Sequence, residues 1–173
     1  MNSDPQSNAP ADVQAILRER GWLSVESTPE VDAWCGHAAA ILGSHVPDRA
    51  ALGNLLGLVF HYDACEILSR IESHEVLSRY AAREVIRHLA PFLLDGGALN
   101  SERFKEIITK LKEEMKLRSR ELFHPIRLAL AGRAGEGELD RVILLLDEAA
   151  VLPFAVPVKS ARTRILEFCS ALD

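Results

Sequence analysis

Apolar residues recur along almost the whole chain at intervals of three and four, the spacing of one helix face, and no stretch sustains the alternation of a half-buried strand. An all-α fold follows. Val13, Ile16 and Leu17 form one such face; Asp12 can cap it by accepting first-turn amide protons, and Gly21 can end it in a left-handed conformation. Thr28-Pro29 starts a second helix running through Trp34 to about Leu42, because proline lacks only an amide that a first turn leaves unpaired. From Asp48, the series Leu52, Leu55, Leu56, Val59 and Phe60 predicts a longer helix reaching Ile71. Gly53 and Gly57 inside it each cost about 1 kcal/mol relative to alanine, so another helix is expected to approach there. Ser73 is expected to cap the next helix, which carries Val76, Leu77, Tyr80, Val85, Ile86 and Leu89 until Pro91 kinks or ends it.

Asp95-Gly96-Gly97 is the clearest break. It predicts two small packed helical subdomains, 12–95 and 98–173, preceded by an arm, 1–11, whose Asn, Ser, Asp and Pro content predicts disorder. After the break, Phe104, Ile107, Ile108, Leu111 and Met115 form the strongest amphipathic face, with Lys105, Lys112 and Lys116 on or near the opposite side. Leu122–Ala131 is predicted as a helix with Pro125 near its start and Gly132 at its end, and Leu139–Ala149 as another. Pro153 and Pro157 remove donors that a sheet would need, so Val151–Val158 is predicted to be a buried connection. Ser160 then caps a last helix with Ile165, Leu166, Phe168 and Cys169 inward.

With 173 residues, 48% of them hydrophobic, the chain can bury a substantial core. No apolar run approaches the roughly 20 residues that span a bilayer, and the N-terminus lacks the basic start and apolar middle of a secretory signal. Cys35, Cys65 and Cys169 are odd in number and widely spaced, as expected of buried thiols in a reducing compartment. A soluble, cytoplasmic protein without a membrane partner is the expectation. The net charge of −5 hides an asymmetry: residues 1–100 hold 7 Lys and Arg against 13 Asp and Glu, whereas residues 101–173 hold 13 against 12. Between Arg103 and Arg133, nine basic residues face four acidic ones, so a bound anion is expected there.

Enzyme-like constellations are thin. His61, Asp63, Cys65 and Glu66 lie close together, yet structural zinc sites need four ligands and no second cluster follows. Gly132, Gly135 and Gly137 sit between two helices and lack the strand and the Lys-Ser/Thr pair of a phosphate loop. No nucleophile comes with a base and an orienting acid, and no cofactor is implied. The basic segment is more informative. Lys112, Lys116, Arg118, Arg120, Arg127 and Arg133 span two helices and their turn and could converge on one corner, with Phe123 and His124 as stacking residues for RNA bases. The alternative is a solvated face balanced by Glu113, Glu114 and Glu121, with Phe123 in the core.

The stretch Lys116 to Arg133 resembles a segment of bacterial glutamyl-tRNA synthetases that reads approximately G-x-K-x-K-x-L-F-x-P-L-R-x-A-L-T-G, in their all-helical anticodon-binding region. Arg118, Arg120, Leu122, Phe123, Pro125, Arg127, Ala129, Leu130 and Gly132 carry the match, and Leu144-Leu145-Leu146 and Arg164-Ile165 fall where that family has a leucine-rich helix and a closing Arg-hydrophobic pair. Ala131, Gly135-Glu136 and Asp147 depart from it. The resemblance implies RNA contacts by Lys112, Lys116, Arg118, Arg120, Phe123, His124, Arg127 and Arg133, although Arg127 lies on an apolar face and could brace a carboxylate instead. The catalytic motifs of that family (HIGH-like and KMSKS-like) and the βαβ pattern of its catalytic domain have no counterpart here. What the resemblance implies is a stand-alone tRNA-binding module, with tRNA-Glu as partner, no DNA, and no aminoacylation activity of its own. The acidic first half suits two alternatives: an interaction module docking on a synthetase or another tRNA enzyme, or a split part of a larger ligase.

Overall fold

The computed structural model describes residues 10–24, 26–43 and 46–172. Among these, ten helices and no strand are found: α1 (Pro10–Glu19), α2 (Pro29–Leu42), α3 (Arg49–Phe60), α4 (Ala64–Leu68), α5 (Ile71–Leu77), α6 (Ala82–Leu94), α7 (Ser101–Met115), α8 (Ser119–Ala131), α9 (Glu138–Ala150) and α10 (Ala161–Leu172). Most of the arm expected at 1–11 lies outside the described residues; Pro10 and Ala11 open α1, so Asp12 sits in its first turn and does not cap it.

Two starts follow their sequence signals directly. Thr28 accepts the Val31 amide and Asp48 accepts the Ala51 amide, each an N-cap with extended backbone. The helix expected from Asp48 to Ile71 is instead two helices. His61 ends α3 in an extended conformation, and the Asp63 carboxylate caps α4 by accepting the amides of Cys65 and Glu66. Tyr62, between them, turns inward, and its hydroxyl donates to the Ala129 carbonyl at 2.5 Å and the Arg164 carbonyl at 3.2 Å. The helix expected from Ser73 onward is also split. Ser73 is buried inside α5 with its hydroxyl on the Ile67 carbonyl, and Ala81, at φ 63°, turns the chain before α6. Tyr80, expected on an inward face, is 82% exposed at that turn. Pro91 lies within α6, which ends only at Leu94.

One continuous apolar core runs from Val13 to Phe168 and crosses the bend at Asp95–Gly97. α9 packs on α2 and α3, and α10 on α4, α6 and α8, so elements from both sides of the bend share it. Trp34 is fully buried and donates its indole N–H to the Leu145 carbonyl at 3.2 Å. Its ring meets Phe60 and Phe154 edge-on, while Trp22 stacks on Phe60 at 5.0 Å, so the 151–158 connection is pinned to the N-terminal helices. That connection is buried at Phe154 and Val158 but not at Val151, which is 83% exposed. At Gly53 an added Cβ would lie 2.7 Å from an Arg20 guanidinium nitrogen and 3.7 Å from Ile16, so the close approach expected there is that of α1 and of Arg20, just past its end. Leu166, expected inward, is half-exposed, and Cys65, expected buried, is exposed; Cys35 is buried, and burial pushes its thiol up to about 11.

Candidate nucleic-acid interface

The basic segment occupies α7, the turn after it, and α8. Asn100 caps α7 by accepting the Arg103 amide, and Lys116 ends it as a left-handed residue at φ 53°, donating its N–H to the Lys112 carbonyl. Three residues later the chain is helical again. Arg118 is the N-cap of α8, and its backbone N–H donates to the Glu121 carboxylate at 3.0 Å, which fixes the entry angle. α8 thus starts three residues before the expected Leu122, placing Pro125 in its interior, and it ends at Gly132, whose φ of 83° suits glycine.

This geometry divides the expected RNA-contact residues into two sets. Lys112, Lys116, Arg118 and Arg120 are all exposed, and among the described residues the last three have no ion pair or side-chain hydrogen bond. They lie in the last turn of α7, the linking turn and the first turn of α8, so the chain itself gathers them at one corner. Lys112 lies 5.7 Å from the Phe123 ring centre. The amides opening α8 add a partial positive charge at the same place, which the Glu121 carboxylate on the Arg118 amide offsets.

Arg127, His124 and Arg133 are engaged within the protein. The Arg127 guanidinium donates twice to Asp140, at 2.8 and 2.9 Å, and once to the Gly135 carbonyl, and its side chain is only 11% exposed. It bridges α8 to the 132–137 loop and α9, the bracing role that its apolar face suggested. It also covers Phe123, with the guanidinium carbon 4.7 Å from the ring centre. Phe123 is partly buried and packs against the core. Arg133 pairs with Glu72 of α5 at 3.2 Å. His124 accepts a hydrogen bond on Nδ1 from Arg79 at 2.8 Å, an assignment forced by arginine having only donors. Desolvation, followed by the charges of Arg79 and Arg127, lowers its pKa below the ordinary 6.5, and the Glu136 carboxylate near Nε2 only partly opposes this.

Lys105, Lys112, Phe123 and Asp140 line a groove of about 490 Å³ between α7, α8 and α9. Arg103, counted among the basic residues, is spent on the carbonyls of Phe92, Asp95 and Gly97 at the end of α6. The N-terminal half holds a further set of cations near this region, Arg70 and Arg79, which whole-segment charge counting passed over. Their signal lay in the tertiary pairing of α5 and α6 with α8. Near α4, His61 pairs with Glu66 at 3.2 Å, and among the described residues no three His, Cys, Asp or Glu side chains come together as metal ligands. No helix of the described residues is long and apolar enough to cross a membrane.

Arg164 was legible only as half of an Arg-hydrophobic pair. It is fully buried on α10, and its guanidinium donates to the carbonyls of Lys159, Leu58, Leu130 and Val59 at 2.6–2.9 Å while lying 4.7 Å from the Tyr62 ring centre. Burial lowers its pKa to about 10. The C-terminal carbonyls of α3 and α8 are thereby held together at the end of α8 remote from the corner.

Comparison with known proteins gives two findings. A family model described as an anticodon binding domain matches residues 38–152. The glutamate–tRNA ligase 2 of Syntrophus aciditrophicus (strain SB) is 30% identical over 76 residues, which is 44% of this chain and 16% of that protein. The match therefore spans about a sixth of the length of that relative.

Proposed function

Because the chain belongs to the anticodon binding domain family, whose model covers more than half of it, we propose that it binds tRNA at the anticodon loop, tRNA-Glu in particular, as a module without aminoacylation activity of its own. The observation that carries this reading is the corner of Lys112, Lys116, Arg118 and Arg120, where exposed cations whose side chains form no ion pair among the described residues meet the start of α8. Unneutralised cations keep their counterion-releasing capacity for phosphate, whereas Arg127 and Arg133 have already given most of theirs to Asp140 and Glu72. In this reading Arg118, Arg120 and Lys116 contact phosphates, Lys112 draws the strand toward the 490 Å³ groove, and Phe123 forms the apolar wall of that groove. Arg127 holds Phe123 and the loop in place. A cytoplasmic location accords with a tRNA partner.

The test is binding of a labelled tRNA-Glu transcript at two salt concentrations. Affinity is expected to fall steeply with salt. Arg118→Ala with Arg120→Ala is expected to lower it about tenfold or more and to flatten the salt slope by about 0.7–0.9 for each phosphate no longer neutralised. Binding that ignores salt, or is unchanged in the double variant, contradicts the reading. A second reading, an interaction module that docks on a synthetase or another tRNA enzyme, is favoured by the groove of about 720 Å³ whose lining includes Ile41, Leu99, Leu144 and the exposed Val151, next to the groove of Asp140, with which it shares Leu144. It predicts that Val151→Asp abolishes association with the partner while tRNA binding is absent throughout.

A further inference from the structure

Tyr80 is the most exposed aromatic ring of the described residues, at 82%. It sits in the turn between α5 and α6, held there by the left-handed Ala81. A ring this exposed can receive a planar group without first breaking a packing contact of its own. The turn is not loose. Arg79, next to Tyr80, donates to His124 of α8 at 2.8 Å. His124 lies four residues after Arg120, and residues at that spacing are neighbours on a helix surface, about 6 Å apart at Cβ. From Arg120 the surface therefore runs past His124, an uncharged link, to Arg79, whose sequence neighbour is Tyr80, and so joins the N-terminal half to the start of α8. Arg83, the second residue of α6, is exposed; Glu75 and Glu84 lie to either side of Tyr80 in sequence, and Glu136 faces His124.

We propose that the turn between α5 and α6 is the second wall of the RNA surface, with the Tyr80 ring as a stacking platform for an unpaired base and Arg79, positioned by His124, contacting the adjoining phosphate. The proposal rests on the tRNA-binding reading and adds to it a place where the single-stranded part of the RNA is distinguished from its duplex part. Every base offers a π-face, so a ring bordered by cations grips an unstacked loop nucleotide and has nothing to grip in a closed stem.

The experiment measures binding by the full chain of an RNA hairpin carrying the anticodon loop of tRNA-Glu, and of a blunt duplex of the same stem. Tyr80→Ala is expected to weaken hairpin binding about five- to a hundredfold and Tyr80→Phe by no more than about twofold, since stacking needs the ring and not the hydroxyl. Duplex binding is expected to be equal in all three proteins. Hairpin affinity unchanged in Tyr80→Ala, in a protein whose binding is still lost in Arg118→Ala with Arg120→Ala, overturns the stacking role and leaves the corner intact. An equal loss for hairpin and duplex also overturns it. Failure of the unaltered chain to bind either RNA overturns the underlying reading itself.

Discussion

Arg164 and the corner of Arg118 and Arg120 both place guanidinium charge at an end of α8, and they differ in what surrounds it. Arg164 is enclosed, with backbone carbonyls from three separate segments on its donors and Tyr62 against its flat side. Those carbonyls include the free ends of α3 and α8, where the helix dipole is negative, so a buried cation is stabilised there without a carboxylate partner. Arg118 and Arg120 stand in water at the opposite, positive end of α8. A cation there is repelled by the dipole and gains nothing for the fold; its position makes sense for a ligand that brings negative charge. Arg127 lies between these extremes, and its two bonds to Asp140 make it a brace.

This contrast can be broken experimentally. The largest effect is expected at the enclosed site: Arg164→Met leaves buried carbonyls unpaired and should lower unfolding free energy by about 3 kcal/mol or more, read as a shift of the urea midpoint. A change below about 1 kcal/mol, the range of ordinary surface substitutions, would mean that the carbonyls find other donors. Next comes Arg127→Ala, expected to cost about 2 kcal/mol by losing charged hydrogen bonds to Asp140, while the variant that remains folded loses less tRNA affinity than Arg118→Ala with Arg120→Ala does. A tRNA loss larger than the stability loss would move Arg127 to the contacting set.

Lys116 sharpens the comparison because the two effects of replacing it have opposite sign. It holds a left-handed conformation at φ 53°, where the resembled segment carries glycine. Lys116→Gly is expected to stabilise the protein by up to about 1 kcal/mol by removing the Cβ clash and to weaken tRNA binding by removing a cation; parallel thermal unfolding and binding titrations check both. The smallest effect concerns His124. Its folded pKa is depressed below 6.5 by burial and by Arg79 and Arg127, so the unfolded chain binds the proton more readily. Stability is then full above about 6.5, the unfolded value, and is lost as pH falls from there toward the folded value. His124→Gln should flatten that part of the stability profile measured by denaturant unfolding.

Much of the fold was readable from local signals because those signals are local chemistry. Thr28 and Asp48 accept amides three residues ahead, and the inward series of α7 needs only its own spacing. The misread boundaries share one cause. Nothing near Tyr62 in sequence shows that its hydroxyl will find Ala129 and Arg164, and that distant pairing turns the chain between α3 and α4. Tyr80 fits an inward helical period on paper, yet Ala81 reverses the chain and leaves the ring outside. The same limit applies to the interface. The sequence located a cationic segment, but only tertiary contacts reveal that Asp140 claims Arg127, Glu72 claims Arg133, and Arg79 reaches His124 from the acidic half.

The most direct test of the central claim is a residue-resolved map of backbone amide chemical shifts as the tRNA-Glu anticodon hairpin is added to the labelled chain. The predicted result is a set of salt-sensitive changes concentrated at residues 112–124 and 79–83, with α1 and α2 unaffected. Changes confined to the groove lined by Ile41, Leu99 and Val151, or no changes at the Arg118 corner at low salt, would contradict it.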